Sequence, residues 1–197
     1  MPSAEAGAAE PRIVCDHCLR PKRVCYCAFL TPLENRTRVL ILRHPRERDV
    51  GIGTARMALL SLKNACLRTD VDFSQDPVVC QAIADGNAYV LFPGVNAIPV
   101  ETTPFPHPIT LFVLDGTWWQ ADKLLRANPA LRALPKLCMT PHAPSFYGQV
   151  RAEPAEHFVG TIEAIAHVLG YLEGDRERFQ TMLRPLTAMV EQQLYFA

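Results

Sequence analysis

"ITLFVLDGTWWQAD", residues 109–122, decides how this chain folds. From Ile109 to Leu114 every residue is apolar or β-branched, and the run stops at Asp115-Gly116. A short continuous run closed by a turn suits a strand buried on both faces, which is how strands sit in a parallel sheet. "WWQADKLLRAN" (118–128) then reads as a helix. Burial accounts for the strand, but not for a carboxylate at its end followed by two adjacent tryptophans.

The pattern repeats along the chain. "RVLILRHP" (38–45) is a second such strand, "AYVLFPG" (88–94) a third and "KLCMTP" (136–141) a fourth. "TARMALLSLKNACL" (54–67) carries apolar residues at helical spacing with Thr54 at the N-cap position, and "DPVVCQAIADG" (76–86) opens on Asp and closes on Gly. Helices near 161–172 and 175–195 finish the chain, while "PVETTPFPHP" is a proline-broken connection and "SFYGQVRAEPAEHF" a long irregular loop. Strands alternating with helices predict an α/β protein with a mainly parallel sheet flanked by helices. Ligands of such sheets sit outside the carboxyl ends of the strands. Three strands end in marked turns: Arg43-His44-Pro45, Phe92-Pro93-Gly94 and Asp115-Gly116-Thr117. Their convergence would give Asp115 a place to work.

Bulk composition narrows the classes. The chain has 197 residues, 49% of them hydrophobic, enough for one sizeable core. Its 20 basic and 20 acidic residues argue against a protein held to nucleic acid by a large uniform field, but leave room for a local basic patch. No apolar window is long enough to span a bilayer, and "MPSAEAGAAE" lacks the basic start and apolar stretch of a signal peptide. The expectation is a cytoplasmic protein with no membrane partner. Neither a G-x4-G-K-[ST] loop nor a G-x-G-x-x-G fingerprint occurs, which disfavours nucleotide hydrolysis.

Four of the seven cysteines crowd into Cys15-x2-Cys18-x6-Cys25-x-Cys27. Clustered thiols in such a chain read as metal ligands rather than a disulfide framework, leaving Cys66, Cys80 and Cys138 as ordinary buried thiols. Four soft ligands at short range suit tetrahedral Zn2+ in a closed, structural site. An iron–sulfur cluster fits the ligand count as well, and His17 is a possible substitute ligand. The organisation expected is a disordered leader (1–11), a zinc knuckle (12–30) and a catalytic domain (31–197).

Taken together, the motifs resemble a known family. "LDGTW" (114–118) is similar to the D-x-T-W signature of DTW-domain proteins, which are related to the SPOUT class of knotted RNA-modifying enzymes. The cysteine knuckle, "LRHPRE" (42–47), "GTAR" (53–56), "LFPG" (91–94), "SFYGQVR" (145–151) and "GTIEAIA" (160–166) follow in the order that family shows. The resemblance covers residues 12–170 and implies a SPOUT-like trefoil-knotted core. It also implies a tRNA-uridine aminocarboxypropyltransferase, which moves the 3-amino-3-carboxypropyl group of S-adenosylmethionine to N3 of a uridine and releases methylthioadenosine.

On that reading Asp115 is the general base, and Trp118 packs against the co-substrate or attracts its sulfonium. Backbone around Phe92, Pro93 and Gly94 and around Leu114, Asp115 and Gly116 holds adenine and ribose. Thr54 and Thr161 are further co-substrate contacts, and Glu163 receives its amino group. Arg43 and His44 meet RNA phosphate with Arg46 and Arg48 beside them, Tyr147 or Phe146 stacks on a splayed base, and Arg151 grips phosphate. Each assignment has a plainer rival. Asp115 turns the strand or caps the next helix, Thr54 and Thr161 cap theirs, and His44 is a packed histidine. Trp119 reads as core. Two functions compete with the first: a SPOUT-type methyltransferase using the same co-substrate, and a non-catalytic zinc-containing RNA-binding module.

Overall fold

The computed structural model describes residues 13–48, 50, 53–140 and 159–196. Strands β1 (Arg38–Arg43), β2 (Ala65–Thr69), β3 (Ala88–Leu91), β4 (Ile98–Pro99), β5 (Thr110–Asp115) and β6 (Lys136–Cys138) form one sheet in the order β2-β1-β5-β3-β6-β4. Every pairing is parallel. The helices are α1 (Ala55–Leu60), α2 (Pro77–Ala84), α3 (Trp118–Ala127), α4 (Pro129–Ala133), α5 (Thr161–Leu172), α6 (Arg176–Gln180) and α7 (Arg184–Phe196).

Alternate residues of the central strands enter two separate cores. Val39, Ile41, Leu111 and Val113 pack with α1, α5, α6 and α7 through Met57, Ile162, Ile165, Phe179 and Leu186. Leu40, Leu42, Val90 and Phe112 face the other way, onto Val79, Leu124, Leu125 and Leu131 of α2, α3 and α4. This is why the strands read as unbroken apolar runs. Each fully buried side chain of this size contributes about 1.5–3 kcal/mol from its removal from water.

Because β1, β5 and β3 are neighbours, their terminal turns do lie side by side at the carboxyl edge; Arg43 is in register with Asp115, and Leu91 with Val113. Three elements differ from expectation. The 54–67 segment is not one helix, because α1 ends at Leu60 and β2 begins at Ala65. The Asn35 side chain accepts from Asn64 N at 2.9 Å and donates to Asn64 O at 3.0 Å, and Lys63 N donates to Leu33 O. These contacts recruit the backbone that a longer helix would have used for itself. The 175–195 helix is broken by a 3-10 turn at Thr181–Leu183, with Pro185 in the first turn of α7, where its missing N–H costs nothing. The proline-broken connection contains β4, whose Pro99 is tolerated on a sheet edge. No helix among the described residues is long and apolar enough to cross a membrane.

Candidate active site

The N-terminal knuckle builds a thiol cluster. Cys15 N donates to Arg20 O and Leu19 N to Cys15 O, while Val14 bridges Pro21; this tight hairpin turns Leu19 to a φ of 59°. The sulfurs of Cys15, Cys18, Cys25 and Cys27 all lie within 4.8 Å of one another. Cys15 and Cys27 are 3.8 Å apart and Cys18 and Cys25 3.6 Å. Tetrahedral coordination with metal–sulfur bonds of about 2.3 Å requires sulfur–sulfur edges of about 3.8 Å, so the four thiols fit such an ion. The backbone N–H groups of Cys18 and His17, then the Cys25 thiol, bring the Cys15 thiol down to about 6. His17 is not one of the four, but its Nδ1 lies 3.5 Å from Cys27 Sγ, within hydrogen-bonding reach of a sulfur. Arg56 of α1 donates twice to His17 O and ties the knuckle to the domain.

At the carboxyl edge the sheet opens into a cavity of about 420 Å³. Phe92, Leu114, Trp118, Met139, Val159 and Thr161 are among the residues lining it. A mostly apolar cleft of this size with a few polar groups suits a small organic ligand. Phe92 and Trp118 make one wall, their rings 5.6 Å apart and inclined at 59°.

Asp115 is 7% exposed, and its Oδ1 accepts the Thr161 hydroxyl at 2.6 Å. It does not cap α3. Thr117 does so in a reciprocal box, Gln120 N donating to Thr117 Oγ1 and Thr117 N to Gln120 Oε1. Gly116 is required beside it, since a Cβ there would come within 2.8 Å of Gln120 Oε1.

The two threonines that precede helices in the sequence do not cap those helices either. Thr161 is the first residue of α5, and its hydroxyl is spent on Asp115. Thr54 makes no cap bond to α1; its Oγ1 accepts from Ile162 N at 3.4 Å, satisfying an otherwise orphaned N–H of α5. Gly160 is the N-cap of α5, and Glu163 reaches back to accept from Gly160 N at 2.7 Å. Only this half of a capping box forms, since Gly160 has no side chain to return the bond.

Of the expected co-substrate contacts, Phe92, Pro93, Leu114, Gly116, Trp118 and Thr161 line the cavity. Gly94, Thr54 and Glu163 lie off its lining, and the latter two instead set the start of α5. Arg43 Nε donates to Thr69 Oγ1 along the strand edge. His44 is 3% exposed; its N donates to Asp115 O and its Nδ1 accepts from Arg46 N. Burial, followed by Lys123 and Arg46, lowers its pKa, so the ring is neutral at neutral pH and carries its proton on Nε2. Phe146, Tyr147 and Arg151 lie outside the described residues.

Two features escaped the sequence reading. Trp119 is not core but 65% exposed. Its helical neighbours at i+3 and i+4 are Asp122 and Lys123, a polar stripe that could have revealed this. The second feature is Glu101, whose Oε1 accepts from His167 Nε2 and from Thr140 N, both at 2.7 Å, pinning the exit of β6 to α5. Burial works against its negative charge, but Thr140 N–H and His167 outweigh that and hold the carboxyl below its ordinary value.

A parallel sheet covered on both faces, with an apolar cleft at its carboxyl edge, places the chain in the class of α/β proteins whose ligands sit at the strand ends. The DTW domain family matches residues 12–194, and the chain belongs to it. Its relatives include tRNA-uridine aminocarboxypropyltransferase 2 of Macaca fascicularis, 30% identical over 195 residues that make up 94% of this chain and 65% of that one. The enzyme of the same name from Drosophila melanogaster is 31% identical, over 91% of this chain and 74% of its own. tRNA-uridine aminocarboxypropyltransferase A of Arabidopsis thaliana is 26% identical, over 91% and 80%. The chain thus spans slightly less than two thirds of the macaque relative's length. No solved structure matches it significantly.

Proposed function

We propose that this protein is a tRNA-modifying transferase that moves the 3-amino-3-carboxypropyl group of S-adenosylmethionine to N3 of a uridine. The observation that carries the reading is Asp115, whose carboxylate is held by the cavity-lining Thr161 and whose chain neighbours Leu114 and Gly116 line the same apolar cavity, in a chain of the DTW domain family. The names of the relatives point the same way.

The donor's sulfonium supplies an activated leaving group, so the protein has to bind, align and remove one proton. Phe92 and Trp118 flank the adenine or the sulfonium, and backbone at Pro93, Leu114 and Gly116 hydrogen-bonds the nucleoside. Asp115 takes the N3 proton of uridine, with the Thr161 hydroxyl holding the carboxylate in place. The N3 lone pair forms the new N–C bond to the γ-carbon of the methionine moiety. The C–S bond breaks, its electron pair stays on sulfur as neutral methylthioadenosine, and the proton passes from Asp115 to water. Alignment of N3 with that carbon supplies much of the acceleration. The four cysteines would hold a structural Zn2+, which would stabilise the knuckle and supply no chemistry to the transfer.

The test is incubation of unmodified tRNA with protein and S-adenosylmethionine, followed by mass spectrometry of the nucleosides and of the spent donor. Aminocarboxypropyl-uridine together with methylthioadenosine is expected. A methylated nucleoside with S-adenosylhomocysteine would replace this reading with that of a methyltransferase.

A further inference from the structure

The family motif accounts for Trp118 but says nothing of its neighbour. Trp119 is the more exposed of the two, at 65% against 42% for Trp118. The buried residues of α3 are Gln120, Ala121, Leu124 and Leu125, so the second indole belongs neither to the core nor to the cavity lining. It stands one helical step around from Trp118, in the turn that forms the cavity rim. A single exposed apolar side chain needs no explanation, but Trp119 adjoins Trp118, itself 42% exposed and on the cavity lining, so the two indoles make an aromatic surface at the rim.

Its surroundings are basic although the whole chain is neutral. Lys123 Nζ lies over the Trp119 ring, 5.6 Å from its centroid. The indole nevertheless stays 65% exposed, so the cation stands beside a ring that is still open to solvent. Lys123 and Arg46 are both near enough to depress the His44 imidazole, whose backbone N–H bonds Asp115 O. Both cations are exposed, whereas Glu47, the acid that acts on the same imidazole, is buried. Asp122, the acid nearest in sequence, is paired with Arg126. An open aromatic face with cations at its side has the chemistry of a single-stranded nucleic-acid site, where bases stack and phosphates meet ammonium or guanidinium groups.

We propose that Trp119 is a stacking platform for a base next to the target uridine, with Lys123 contacting the adjoining phosphate. This rests on the reading that the substrate is RNA and adds to it the surface that grips the strand. It also answers how a protein of zero net charge holds a polyanion: by stacking and a few local cations rather than by a broad field.

The test measures tRNA affinity by fluorescence anisotropy at several salt concentrations, with S-adenosylmethionine affinity measured by calorimetry on the same proteins. Trp119→Ala is expected to weaken tRNA binding about tenfold, the scale of one lost base stack, and Trp119→Phe to retain most of the affinity. Lys123→Gln is expected to lower the salt slope by about one. Donor affinity stays at the wild-type value in all three. Wild-type tRNA affinity in Trp119→Ala would overturn the platform while leaving the transferase reading intact. So would a change in oligomeric state with unchanged tRNA affinity, which would make a second copy the occupant, or a joint loss of tRNA and donor binding, which would mark a disturbed α3. A wild-type protein that binds no tRNA would bring down both readings.

Discussion

The thiol knuckle and the carboxyl edge of the sheet use side chains in opposite ways. In the knuckle four sulfurs converge on one another, all within 4.8 Å. At the carboxyl edge Thr161, Phe92 and Trp118 line a cavity of about 420 Å³, and Thr161 holds the Asp115 carboxylate beside it. A closed ligand set stabilises a fold, whereas an open cavity walled by rings and held beside a fixed carboxylate can turn over a substrate. Changes in the two regions should therefore fail differently, one in stability and the other in rate.

The largest effect belongs to the edge. Asp115→Asn keeps an oxygen for the Thr161 hydroxyl but cannot accept the N3 proton, so transfer should fall about 100- to 10,000-fold with the melting temperature nearly unchanged. Comparable turnover in single-turnover assays would remove Asp115 from the base role.

In the knuckle, Cys27→Ser should abolish the bound metal in elemental analysis and lower Tm by on the order of 10 °C, corresponding to about 3–5 kcal/mol for a chain of this size. The fraction that stays folded should retain its kcat. A variant with wild-type Tm but no activity would merge the two regions the comparison separates.

A smaller effect lies between them. Thr54→Val strands the buried N–H of Ile162, which should cost about 1–3 kcal/mol in denaturant titration. Its KM for the donor should rise less than that of a cavity-lining substitution, because Thr54 is off the lining.

The smallest prediction concerns pH. Glu101 in the folded protein titrates below its ordinary value of 4.5. Its contribution to stability is therefore full above pH 4.5 and is lost as pH falls from there through the lowered folded-state value. Glu101→Gln should flatten the stability profile in that acidic window and leave its shape near neutrality alone.

Much of this was legible in the sequence, for identifiable reasons. Strands buried on both faces leave unbroken apolar runs, so 38–45, 88–94 and 109–116 read correctly as strands, and the turns after the latter two supply lining to the cavity. The cysteine spacing gave the thiol cluster because all four ligands are local. What did not read was long-range. Thr161 meets Asp115 across 46 residues, Thr54 meets Ile162 across 108, and Glu101 meets His167 across 66, so no local pattern reports them. The 54–67 segment misled because its apolar spacing suits a helix, while contacts from Leu33 and Asn35 end it at Leu60. Trp119 misled because tryptophan is expected inside, even though its stripe on α3 is polar.

The central claim is that the carboxyl-edge cavity holds the donor with its aminocarboxypropyl carbon turned toward Asp115. A crystal structure of Asp115→Asn with S-adenosylmethionine bound tests it most directly. The account predicts the donor against Phe92 and Trp118, with the γ-carbon of its methionine moiety nearer residue 115 than its methyl group. A methyl group presented to residue 115, or a donor bound outside this cavity, would contradict it.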